Sequence, residues 1–247
     1  MLNLTKTDQG YAASAGVTVS LKTPPVLKAL IAEGGVVNAG SFQPGIAPGA
    51  WITLFGQNLA AAPRSAATSD LTNGILPAAL GGVSVKIDGR DAFLQYVSPT
   101  QINLQSPADG GAGSVQVTVS NASGTSDPVT TTLQPIMPAF FASGGYVAAS
   151  AQTAKPGDLL SLYGNGFGPT NPVIAPGAVA QTAAILTNPV TVTVGGVEAP
   201  LSFAGLSSTG LYQFNVTVPA LSNGDYPVIA EVAGRRTQPG VLLRILS

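Results

Sequence analysis

Residues 47–59 and 155–167 of this 247-residue chain spell out the same local structure twice. Ala47-Pro48-Gly49-Ala50-Trp51-Ile52-Thr53-Leu54-Phe55-Gly56-Gln57-Asn58-Leu59 lines up with Lys155-Pro156-Gly157-Asp158-Leu159-Leu160-Ser161-Leu162-Tyr163-Gly164-Asn165-Gly166-Phe167, at an offset of 108. Each copy is a Pro-Gly turn, a short alternating strand and a glycine-bearing exit. A chain that states one strand-and-turn unit twice is built from two units of one kind.

The remaining motifs keep the same order. Val83 to Gly89 recurs as Val190 to Gly196, at an offset of 107, and Gln101 to Pro107 recurs as Gln213 to Pro219, at 112. The growth between them reads as a five-residue insertion around Ser207 to Leu211. Val115 to Val119 matches Val228 to Val232, and Val129 to Leu133 pairs in role with the closing Val241 to Leu246. Strict alternation, as in Val83-Ser84-Val85-Lys86-Ile87, places apolar side chains on one face of a strand. Asp88-Gly89 tolerates the positive φ of a tight hairpin turn. No helical periodicity of useful length is present. The expected fold is all-β: two tandem immunoglobulin-like β-sandwiches, over 36–135 and 136–247, each near the usual size of such a domain. The junction Gln134-Pro135-Ile136-Met137-Pro138 is short and proline-stiffened, which predicts a fairly fixed angle between them.

Residues 1–35 match neither repeat. Val17, Val19 and Leu21 alternate with Thr18 and Ser20 and read as one strand, ended by Pro24-Pro25. It is an extra edge strand, the tail of a preceding domain, or a strand donated to a neighbouring molecule, since an unpaired edge invites pairing. Val26 to Glu33 fits a short helix or a strand.

Composition narrows the function. Charged residues are 9% of the chain, with 10 basic against 11 acidic side chains and a net charge of -1. Nothing here neutralises phosphates, so nucleic acid is excluded as an expected partner. Low charge also weakens electrostatic protection against self-association. With no histidine, the usual general base and zinc ligand are missing; with no cysteine, disulfides and thiolate chemistry are missing too. The chain is therefore expected to be non-catalytic and to need no cofactor or metal. No apolar run is long enough to span a bilayer, so membrane insertion is not expected. The first residues lack a signal-peptide pattern, and Met1 reads as a start placed inside a longer polypeptide.

Candidate binding residues are few. Alternation that turns Ile52 and Leu54 inward turns Trp51, Thr53 and Phe55 outward, with Leu159, Ser161 and Tyr163 as their counterparts. Trp51, Phe55, Leu159 and Tyr163 are thus a candidate binding face for a sugar or a partner protein, or are buried at the domain seam. Gln101 and Asn103 recur as Gln213 and Asn215, amides that either read a ligand by hydrogen bonding or, as expected here, satisfy loop backbone groups. Asp88, Arg90 and Asp91 mark a hairpin tip, expected to be solvated; the pair of carboxylates is not repeated in the second half. Arg235-Arg236 reads as a similar tip. The run Gly164-Asn165-Gly166-Phe167-Gly168 leads to Pro169 and no helix, so it has no phosphate cradle. Lys86 and Lys155 are the lysines weighed for an intramolecular isopeptide, and both fall at exposed positions.

These motifs resemble the Solibacter-type C-terminal domain family of secreted Acidobacteria proteins. The resemblance is carried by Val36-Val37-Asn38-Ala39, Leu54-Phe55-Gly56-Gln57-Asn58-Leu59-Ala60, Leu80-Gly81-Gly82-Val83 and Tyr96-Val97-Ser98-Pro99-Thr100-Gln101-Ile102-Asn103. In the second half it is carried by Gly145-Tyr146-Val147, Tyr163-Gly164-Asn165-Gly166-Phe167-Gly168-Pro169 and Gly210-Leu211-Tyr212-Gln213-Phe214-Asn215-Val216. It covers about residues 36–247, and each half is similar to the IPT/TIG type of immunoglobulin-like domain. The resemblance implies an extracellular or cell-surface setting and brings no functional residues with it. A structural or adhesive module follows, with itself or a surface glycan or protein as partner.

Overall fold

The computed structural model describes residues 4–7, 10–13, 27–107 and 112–246. Leu4–Thr7 (β1) and Gly10–Ala13 (β2) pair antiparallel with each other. The strand expected at Val17, Val19 and Leu21 lies outside the described residues.

The first sandwich contains Leu30–Asn38 (β3), Trp51–Gln57 (β4), Val83–Ile87 (β5), Phe93–Val97 (β6), Gln101–Gln105 (β7), Gly113–Asn121 (β8) and Val129–Leu133 (β9). One sheet runs β3-β4-β7-β6 and the other places β8 between β5 and β9. The second sandwich contains Ala139–Phe140 (β10), Leu159–Asn165 (β11), Val190–Val194 (β12), Leu201–Ser208 (β13), Leu211–Thr217 (β14), Gly224–Val232 (β15) and Leu242–Ile245 (β16). It repeats the plan, with β10-β11-β14-β13 facing a sheet in which β15 lies between β12 and β16. Four strands against three, in this order, is the immunoglobulin arrangement. Both halves also have a parallel contact with the last strand: Ile46 with Leu133, and Thr153–Ala154 with Arg244–Ile245.

The alternating residues close two separate cores. Ile52, Leu54, Ile102 and Leu104 face Val83, Val85, Val117 and Val119 in the first. Phe140, Phe167 and Phe214 fill the second, with ring centroids 4.5–5.8 Å apart. Burying a side chain of this size contributes about 1.5–3 kcal/mol.

The repeated exit motif has one physical meaning in both copies. Asn58 and Gly166 adopt φ of 54° and 77°, and the next residue, Leu59 or Phe167, turns into its core with no exposed surface. The preceding Gly56 and Gly164 lie under an edge-strand carbonyl. A Cβ on Gly56 would sit 2.2 Å from Leu30 O and 2.8 Å from Leu59 Cδ2. On Gly164 it would sit 2.4 Å from Ala139 O and 2.8 Å from Phe167 Cε2. The glycine lets strand and core plug share one place.

One boundary needs correction. A domain start at Val36 cuts through β3, which begins at Leu30 and contributes Ile31 to the core. Gly34, at φ 66°, and Gly35 bulge the strand between Ile31 and Val36, which hides its alternation. Val26 to Glu33 is accordingly not a helix over its described residues.

Candidate functional site: the cleft between the sandwiches

Three sets of contacts lock the sandwiches together. In the first, the indole Nε1 of Trp51 donates to Thr209 O at 2.8 Å. Thr209 tops the hairpin formed by β13 and β14, the element lengthened by the five-residue insertion. The insertion is a strut that reaches the other domain.

Beside it, Gln105 is almost fully buried. Its Nε2 donates to Gly49 O at 2.7 Å, and its Oε1 accepts from Gly177 N at 2.6 Å. Gly210 and Gly177 are the close approaches. A Cβ on Gly210 would lie 2.7 Å from Trp51 Nε1, and one on Gly177 would lie 2.4 Å from Phe93 Cδ1. The second set is backbone. Ile75 and Ala178 form an antiparallel bridge, flanked by Leu76 N to Gly177 O (2.9 Å) and Val179 N to Gly74 O (2.8 Å).

The third set lies at the linker. Buried Asn38 donates to Met137 O at 2.9 Å, while its Oδ1 accepts from Gly40 N and from Asn165 Nδ2, at 2.8 and 3.1 Å. Gln238 adds bonds to Phe140 O (2.6 Å) and Gly40 O (3.3 Å). Asn38 and Gln105 are bonded at both ends of their amides, and buried groups held in this way fix geometry, because breaking the contact strands a desolvated polar group.

Between these contacts a cleft of about 510 Å³ opens. Its floor is the outward face of β4 and β7. Trp51, Phe42 and Phe141 line it with aromatic rings; Gln95, Gln101 and Asn103 line it with amides; Thr53, Ser208 and Thr209 add hydroxyls. None of its described lining residues is charged. Phe42 is held at φ 56° and is 58% exposed, its ring 6.5 Å from that of Phe55 and inclined 28° to it. A second cleft of about 330 Å³, edged by Pro48, Pro135, Pro169 and Pro176, lies on the far side of Gln105.

The four residues of the expected binding face are therefore split. Trp51 sits half-buried at the seam and lines the cleft, and Phe55 lies half-buried beneath Phe42. Leu159 is 65% exposed and Tyr163 half-buried on the second sandwich, and neither lines the cleft. Phe42, Phe141 and Gln95 were not legible as site residues. Phe42 follows a turn and Phe141 a two-residue strand, so neither shows alternation.

The repeated amides correct another expectation. Gln101 Nε2 donates to Asn103 Oδ1 at 2.8 Å, and Gln213 Nε2 to Asn215 Oδ1 at 2.8 Å. They bond along their own strand face and not to loop backbone. Gln105, two residues on, is the amide that holds loop backbone.

The remaining candidates carry no site. Asp91 pairs with Lys86 at 2.7 Å, and Arg236 with Glu231 at 2.8 Å, all on exposed hairpins. Lys155 is exposed. Among the described residues, no group of three His, Cys, Asp or Glu is placed to hold a metal. On the second sandwich, Arg244 grips Asp225 through Nε and Nη2, each at 2.8 Å, and stacks 4.9 Å over the Tyr146 ring. Tyr146 Oη also donates to Asp225, at 2.8 Å. The Arg244 guanidinium, helped by that hydroxyl, holds the Asp225 carboxyl down at about 2, and the shared bond raises the Tyr146 hydroxyl. Burial raises the Tyr212 hydroxyl further, and it donates to Gly168 O.

No helix among the described residues is long and apolar enough to cross a membrane. No protein-family model and no curated protein sequence matches this chain. Among solved structures it is similar to the SGBP-B protein of a Bacteroides ovatus mixed-linkage glucan utilization locus, solved with a mixed-linkage heptasaccharide: 14% identity, TM-score 0.36, 81% of this chain and 42% of that one. A surface glycan-binding protein of Prevotella bryantii gives 14% identity and a TM-score of 0.28, over 79% of this chain and 36% of that one. The Escherichia coli adhesin FdeC gives 13% and 0.30, over 96% and 69%. The chain thus spans less than half of the first two. At TM-scores this low, what those proteins bind is a property of theirs alone.

Proposed function

We propose that this chain is a non-catalytic structural and adhesive module of a secreted or surface protein, holding two immunoglobulin-like sandwiches at one fixed angle. The observation that carries this reading is the backbone bridge between Ile75 and Ala178, because a flexibly tethered pair does not share main-chain hydrogen bonds. The buried amides on either side support it. A module stiffened in this way transmits load and presents what lies beyond it at a set distance. The Solibacter-type resemblance of residues 36–247 belongs to the same reading and brings the extracellular setting with it. Self-association through sheet edges belongs to it too: the edge strand β3 carries exposed Leu30, and low net charge opposes contact weakly.

Small-angle scattering across a concentration series tests this. One rigid two-domain shape, with an apparent mass that rises with concentration, is the expected result. A profile that requires many interdomain angles contradicts the spacer, and a constant monomer mass contradicts the self-association.

A further inference from the structure

We propose that the cleft between the sandwiches binds an uncharged saccharide chain, with Phe42, Trp51 and Phe141 as its ring platforms and Gln95, Gln101 and Asn103 as its polar readers.

The chemistry of the walls selects the ligand class. With no charged lining residue, the site offers nothing to a phosphate, a sulfate or a carboxylate, whose desolvation would go uncompensated. Sugar rings present flat C–H faces bordered by hydroxyls. Aromatic faces suit the first and amides, each both donor and acceptor, suit the second. The volume of about 510 Å³ lies within the range typical of small-ligand sites.

The walls are also set in advance. Trp51 cannot rotate freely, because its Nε1 is committed to Thr209 O, so its ring stays in the cleft wall. Phe42 rests along Phe55 yet remains 58% exposed, an unusual amount for a phenyl ring that a turn holds in place. The Gln101–Asn103 bond uses one end of each amide. Among the described residues, Gln101 Oε1 and Asn103 Nδ2 have no protein partner, which leaves an acceptor and a donor two residues apart on the cleft floor. That pair is complementary to a hydroxyl, which accepts from one and donates to the other.

A peptide is a poorer match. Extended peptides draw their affinity from main-chain bonds to a free strand edge. Here the floor is the face of β4 and β7, whose backbone groups are already spent on each other.

Trp51 is the only tryptophan in the chain, so its emission reports this cleft alone. The test titrates the full chain with neutral cello-, xylo-, manno- and mixed-linkage gluco-oligosaccharides, alongside heparin, polygalacturonate and a neutral proline-rich peptide. At least one neutral oligosaccharide should shift the emission saturably. Phe42→Ala and Asn103→Ala should each weaken that titration by about tenfold, the equivalent of one lost stacking or hydrogen-bond contact, while each variant still melts in one cooperative transition. The proposal is overturned if no neutral oligosaccharide shifts Trp51. It is equally overturned if the shift persists undiminished in both variants, or if only an anionic glycan or the peptide binds. The spacer reading survives any of those outcomes, since it concerns the angle and not the cleft.

Discussion

The indole nitrogen of Trp51 lies 2.8 Å from the carbonyl oxygen of Thr209, two residues 158 positions apart that bond across the seam between the domains. Trp51 opens β4 of one sandwich, and Thr209 tops a hairpin of the other. Replacing Trp51 with Phe keeps most of the apolar bulk and removes the donor, leaving a half-buried carbonyl unpaired. The expected cost is about 1–3 kcal/mol in chemical denaturation, together with a looser domain angle in scattering. An unchanged midpoint and profile would show that the bond contributes nothing to the seam.

Asn38 is the second test of the seam. Asn38→Ala strands Met137 O, Gly40 N and Asn165 Nδ2, all buried or nearly so. Equilibrium unfolding should show a loss of about 2–4 kcal/mol, above that of an ordinary surface Asn, because more than one polar group loses its partner at once.

The glycines of the exit motif make a sharper comparison. Gly164→Ala pushes a methyl against Ala139 O and the Phe167 ring, so β10 or the core plug must move. Overpacking of this kind costs about 1–3 kcal/mol. Gly196→Ala, by contrast, meets no atom within 4 Å and bears only the strain of φ 81°, about 1–2 kcal/mol. Gly210→Ala carries both the strain of φ 59° and the collision with Trp51, and should be the most destabilising of the three. Thermal melts of the three variants rank them directly, and a Gly196 variant that melts lowest would refute the packing account.

Acid tests the exposed cluster on the second sandwich. Asp225 ionises at about 2 in the folded chain, below the 3.8 ordinary for a carboxylate, because Arg244 and Tyr146 bond its charged form. A carboxyl held down in this way adds stability that is complete above the ordinary value and lost as pH falls toward about 2. The melting-temperature gap between wild type and Asp225→Asn should thus be steady at neutral pH and close across that acid window. A gap that stays constant to the lowest pH would remove the cluster from the acid response.

Much of this fold was legible because alternation and turn chemistry are local. Val83 to Ile87 shows its inward face in its own spelling, and Asp88-Gly89 takes the positive φ of both hairpin positions. The seam was legible only as a trace. The five-residue growth in repeat offset marked where the chain had been lengthened, but nothing local says that the added hairpin reaches Trp51. Gln105 looks like one more polar strand residue until Gly49 and Gly177, from different domains, meet at its two ends. Asn38 and Asn165 each end a strand, β3 and β11, and their pairing depends on how two folded bodies dock. Gly34-Gly35 hid the first half of β3 for a simpler reason, since a bulge breaks the period on which strand reading relies.

The central claim is a fixed angle between the sandwiches, and a pair of spin labels measures it most directly. The chain contains no cysteine, so Ser114→Cys and Glu198→Cys, one exposed position on each sandwich, give clean attachment points. Pulsed dipolar spectroscopy should return one narrow distance distribution that broadens when Asn38→Ala and Trp51→Phe are added together. A broad distribution in the otherwise unaltered chain would contradict the account.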